Sequence, residues 1–129
     1  MKVAVLIARI LLGLEFVLFG LNGFLQFLHT PPMTGVPAQF LQALFESHYA
    51  VPIFGLQLIG GLLLLSGRYI PLAVTILAAI LVNILLYHIT MAPSGLPLAL
   101  ITFVLWIIVF WSVREAFAGI FAAKVEPKV

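Results

Sequence analysis

The sequence predicts an all-α integral membrane protein: a four-helix bundle with a short interfacial amphipathic helix between helices 1 and 2. Three observations predict it. Of the 129 residues, 64% are hydrophobic and only 8% charged, whereas a water-soluble domain carries charge on about a quarter of its residues. Four apolar stretches alternate with turn-forming segments, and about 20 apolar residues rising 1.5 Å each cross a bilayer core. The six Lys and Arg gather on one set of ends. Such a bundle uses nearly the whole length, so residues 1–129 are read as a single membrane domain.

The first span runs from about Arg9 to Phe27 or His29, and Thr30, Pro31 and Pro32 stop it. Lys2 ahead of an apolar run resembles a secretory leader. Arg9 and Glu15 interrupt that run and no small-x-small cleavage site follows, so a retained helix is expected. Between Pro37 and Tyr49, apolar Phe40, Leu41, Leu44, Phe45 and Tyr49 recur at helical spacing among Gln39, Gln42, Glu46 and Ser47. That pattern predicts an amphipathic helix lying in the interface. The second span covers about residues 51–66 and ends at Gly67-Arg68. Pro71 suits the first turn of the third span, which continues to about Thr90. Ala92-Pro93-Ser94-Gly95 makes the next turn, and the fourth span runs from about Pro97 to Val113.

Direction follows from charge. Lys2 and Arg9 precede or open the first span, Arg68 separates the second and third, and Arg114, Lys124 and Lys128 follow the fourth. The other two connections hold no Lys or Arg. The positive-inside rule then expects both termini and the Arg68 turn in the cytoplasm. The net charge of +2 forms no basic cluster interleaved with aromatics, which excludes a nucleic-acid surface. With no cysteine, thiolate catalysis, Cys-ligated zinc and iron–sulfur clusters are also excluded.

Polar residues within the spans are the candidate site. Counted from the cytoplasmic ends, Asn22, Gln57, Asn83 and Thr102 lie roughly 15–20 Å up, one on each helix. Glu15 lies roughly 9 Å above Arg9. On the first span Glu15, Asn22 and His29 recur at seven-residue steps, one stripe facing the bundle interior or a wet cleft. The pattern reads either as an outward-opening polar pocket with Glu15 at its base, or as interhelical hydrogen bonding by the amides. An intramembrane carboxyl is a candidate proton carrier, and its alternative roles are a bond to a neighbouring amide or a pair with Arg9. Gly13, Gly20 and Gly23, with Gly60 and Gly61, permit close helix contact. His29, His48 and His88 all fall at the outer rim, a loose set for a metal, a haem or a proton relay; no metal is assigned. Trp111 suits a cytoplasmic aromatic belt, while Trp106 lies deeper, packing between helices or lining an apolar pocket.

The run Ala8-Arg9-Ile10-Leu11-Leu12-Gly13-Leu14, followed by Phe19-Gly20-Leu21-Asn22-Gly23-Phe24, resembles the first helix of the DoxX family. Gln57-Leu58-Ile59-Gly60-Gly61-Leu62-Leu63-Leu64 with Gly67-Arg68-Tyr69-Ile70-Pro71 resembles its second helix and turn, and Leu81-Val82-Asn83-Ile84-Leu85-Leu86-Tyr87-His88 its third. The resemblance spans about Val5 to Phe117. It implies a four-helix protein of the bacterial inner membrane, with some relatives acting as subunits of a thiosulfate:quinone oxidoreductase. Family members often carry a carboxylate where this chain has Gln57.

The expected function is a small membrane subunit binding a quinone or other apolar ligand among its helices. Asn22, Gln57 and Asn83 would hydrogen-bond the ligand, Thr102 and Trp106 would line its site, and Glu15 or His88 would exchange protons. A quinone is the candidate cofactor, and a partner oxidoreductase subunit or a second copy of the chain would complete the system. Two other classes stay open. One is a non-catalytic accessory protein that assembles other membrane proteins, and the other is a transporter of a small apolar or lipid molecule.

Overall fold

The structure is a computed structural model and describes residues 1–128. Its regular structure is all helical, with α1 Lys2–Leu25, α2 Gly35–Glu46, α3 Ala50–Ser66, α4 Ile70–Thr90 and α5 Leu96–Ser112. A 3-10 turn, Pro93–Gly95, leads into α5 and a second 3-10 segment, Arg114–Phe121, follows it. Helices α1 and α4, and the unit Pro93–Ser112, are each long and apolar enough to cross a membrane. The remaining pair, α2 and α3, turns through 88° at residues 47–49. His48 makes this corner with φ +64°. With 17 residues, α3 alone is about 25 Å long.

The first helix differs from its expected bounds at both ends. It begins at Lys2 rather than Arg9 because Lys2–Ala8 contains no Gly or Pro, and a charge within an apolar run does not break a helix. It ends at Leu25, before the prolines. Gln26 turns into the left-handed region (φ 49°) and its N–H donates to Asn22 O. The Asn22 side chain completes this end, its Oδ1 accepting the Leu28 N–H at 2.8 Å. Backbone groups at a helix end need such partners, and here a residue from inside the helix supplies one.

Helix α1 packs on α3 and α5, and α4 packs on the same two, so the four helices close a ring in the order α1, α3, α4, α5. Leu12, Leu64, Val74, Leu77 and Val109 fill its centre without exposure. The outer face is equally apolar, with Leu14, Leu62, Val82, Leu86, Ile101 and Val104 exposed. Helices apolar all round belong to lipid surroundings or to the core of a much larger protein. Amphipathic α2 lies off the ring with no buried residue. It touches the ring through Phe45 against Phe54 and Phe40 against Tyr87, both at 5.7 Å between ring centres.

The α1–α3 seam is the closest contact, as the glycines anticipate. A Cβ on Gly61 would stand 2.8 Å from the Val17 nitrogen and 2.9 Å from the Gly13 oxygen. These are backbone atoms, which cannot step aside as a side-chain end can. At the end of the seam, Arg9 Nη1 donates to the Leu64 carbonyl of α3. The cation thereby meets the negative end of that helix dipole.

Gly61→Ala should therefore lower stability by about 1–3 kcal/mol, despite alanine's better helix propensity. Gly55→Ala, which adds its methyl in open space, should be neutral or slightly stabilising. Denaturant titration of helicity in detergent checks this pair; equal behaviour of the two variants would contradict the seam.

Candidate functional site

The site begins with Glu15 and Thr102. Counting from Arg9 and Arg114 places them on different levels, yet α1 and α5 run antiparallel and bring them together. The Thr102 Oγ1 lies 2.7 Å from Glu15 Oε2 and 2.9 Å from the Leu98 carbonyl of its own helix. The expected depth of Glu15 was misjudged because Arg9 is not at the helix start. Glu15 stands about 20 Å, or thirteen residues, above Lys2. A hydroxyl has one proton and here meets two acceptors. Both contacts are satisfied together when Glu15 carries a proton and donates to Thr102, which donates to Leu98 O. Arg9, spent on Leu64 O, takes no part.

The other expected ligands do not converge. Asn22 uses its amide oxygen to close α1. Gln57 is buried, 6% exposed, on the α3 face that also carries Gly60, Gly61 and Leu64. Asn83 lies on the exposed face of α4 and its Nδ2 donates to Ala79 O at 2.9 Å. A pocket lined jointly by the three amides is thus not formed. Spacing along one helix assigns a face, but the direction of that face depends on how neighbouring helices are rotated. Trp106 packs between helices, its Nε1 donating to Val74 O of α4 at 3.1 Å while its ring stacks on Phe110.

The His88 Nδ1 lies 2.8 Å from Ile84 O, so it donates there and leaves Nε2 facing Gly95 in the turn before α5. Glu15 and His88 belong to separate environments rather than one proton path. His29 and His48 are exposed outside the helices. Among the described residues, no three His, Asp or Glu gather to hold one metal ion.

Two cavities lie elsewhere. A shallow space of about 80 Å³ sits between α4 and α5 beside Leu81, Phe103 and Trp106, well below the roughly 300 Å³ of small-molecule pockets. A groove of about 760 Å³ lies between the first turns of α1 and the last turns of α5. Leu6, Ile107, Ile108 and Trp111 form apolar walls, and its polar lining comes from Lys2, Arg9, Ser112 and Arg114. Sequence reasoning used these cations only for orientation. The signal it passed over was their antiparallel pairing, since helices joined at Glu15 and Thr102 must bring residues 2–9 beside 107–114.

Thr102→Val, which keeps shape and removes the hydroxyl, should cost about 1 kcal/mol by leaving the Glu15 carboxyl unpartnered. Glu15→Gln should stay within about 0.5 kcal/mol of wild type, because a glutamine amide donates to Thr102 as a carboxylic acid does. Unfolding measurements in detergent decide it; a large loss in Glu15→Gln would mean that the carboxyl is ionised and bound by something else.

Comparison with protein-family models, curated proteins and solved structures returns no match.

Proposed function

We propose that the chain is a four-span protein of the bacterial inner membrane, of DoxX type, with both termini cytoplasmic, serving as an accessory subunit that holds another membrane protein. Asn83 carries this reading. It stands exposed on α4, satisfying one amide N–H on its own helix and presenting its Oδ1 and second N–H outward. In hydrocarbon an unmatched amide is costly, and lipid chains offer no hydrogen bond. Thr75, Ala79, Asn83 and Thr90 share one exposed face of α4. The two threonines bond carbonyls of their own helix, leaving a stripe of small or self-satisfied side chains around one free amide. Close helix approach around a hydrogen-bonding group is how membrane helices associate.

The quinone-linked reading keeps one supporting observation, a Glu15 carboxyl within hydrogen-bond distance of Thr102 between α1 and α5. The 80 Å³ space between α4 and α5 is too small for a substituted quinone, so a quinone would have to bind from outside the ring.

The cysteine-free sequence allows a direct test. Ala79→Cys, on the Asn83 face, should form cross-links in native membranes to one species of defined mass. Val104→Cys, on the exposed face of α5, should not, and adding Asn83→Leu should abolish the Ala79→Cys product. Equal cross-linking from both positions would contradict a specific α4 interface.

A further inference from the structure

The groove between α1 and α5 has the lining of an amphiphile site. Leu6, Ile107 and Trp111 make its walls apolar, while Lys2, Arg9 and Arg114 give it three cations and no carboxylate lines it. Both guanidinium groups are held in place. Arg9 Nη1 donates to Leu64 O, and Arg114 Nη1 donates to Trp111 O at 2.7 Å with its carbon 4.5 Å over the Trp111 ring. A guanidinium has five N–H donors, so each keeps free donors after these bonds. Fixed arginines with spare donors suit a phosphate, which accepts two parallel bonds from one planar fork.

The place fits the same ligand. The groove follows α1 from Lys2 to Arg9, about 10 Å of helix. Arg9 is level with the end of α3 because it bonds Leu64 O, so Lys2 overhangs that end by two turns. On the membrane reading above, this is the depth where headgroups give way to acyl chains on the cytoplasmic side. A free phosphate would find the cations but leave the apolar walls wet. A zwitterionic lipid would cover the walls but bring a choline against three positive charges.

We propose that the groove binds one anionic phospholipid, its phosphate held by Lys2, Arg9 and Arg114 and its upper chain segments lying against Leu6, Ile107 and Trp111. The proposal rests on the membrane reading, and the test separates the two.

The purified chain in detergent is titrated with dioleoylphosphatidylglycerol, dioleoylphosphatidylcholine or inorganic phosphate and followed by native mass spectrometry. One phosphatidylglycerol should bind at least tenfold more tightly than phosphatidylcholine, and phosphate should not compete. Arg114→Gln should weaken it roughly fivefold, as expected for one juxtamembrane cation. Arg68→Gln, at the neighbouring α3–α4 turn and outside the groove, should leave it unchanged. Ile107→Trp, which fills the groove and keeps every charge, should also weaken binding and covers the case in which Arg114→Gln misfolds. Equal affinity for the two lipids, equal loss in Arg68→Gln and Arg114→Gln, or competition by phosphate would each overturn the lipid site. Release of the chain from phosphatidylcholine/phosphatidylglycerol vesicles by alkaline carbonate would instead overturn the membrane reading.

Discussion

The close seam between α1 and α3 is the contact on which the other features depend. Gly20 and Gly61 let two backbones meet where a Cβ would come within 2.9 Å of main-chain atoms. Once α1 lies in that position, Arg9 reaches the open carbonyls at the end of α3. The same rotation turns Glu15 toward α5 and Thr102. Without the seam, the arginine and the carboxyl would both lose the partners they have here.

A second constraint works with the first: polar groups on apolar helices find partners inside the fold. Thr75, Thr90 and His88 each bond a carbonyl four residues back on their own helix. Asn22 closes the end of α1, and Trp106 ties α5 to α4. What remains open is informative. Asn83 presents half its amide outward, and the cations around the α1–α5 groove keep donors free. Interior polar groups free to act are therefore scarce, and the unmatched donors and acceptors lie on the surface of α4 and in the groove.

Much of this was legible in the sequence, and the reason differs by element. Helices α3, α4 and α5 fell within about a residue of expectation because Gly67, Pro71, Pro93 and Gly95 mark their ends chemically. Helix α2 was legible from the periodicity of Phe40, Leu44 and Phe45, though it starts and ends two to three residues early. Helix α1 was misplaced because charge at Arg9 was taken for a boundary, and because the stop is made by Asn22 folding onto Leu28 rather than by Pro31. The site was less legible. Asn22, Gln57 and Asn83 share a depth, but depth does not fix rotation, and only packing shows that one caps, one is buried and one faces outward. Thr102 and Glu15 were both singled out; their pairing needed the antiparallel register of α1 and α5.

The inside of the ring is a packed interior rather than an outward-opening polar pocket. Cysteine accessibility at Gln57 tests that claim most directly. In sealed vesicles, a water-soluble maleimide should label Ser94→Cys, in the exposed turn before α5, and leave Gln57→Cys unmodified until the protein is unfolded. Labelling of Gln57→Cys at the rate of Ser94→Cys would mean that water enters the bundle to that depth, and would contradict the account.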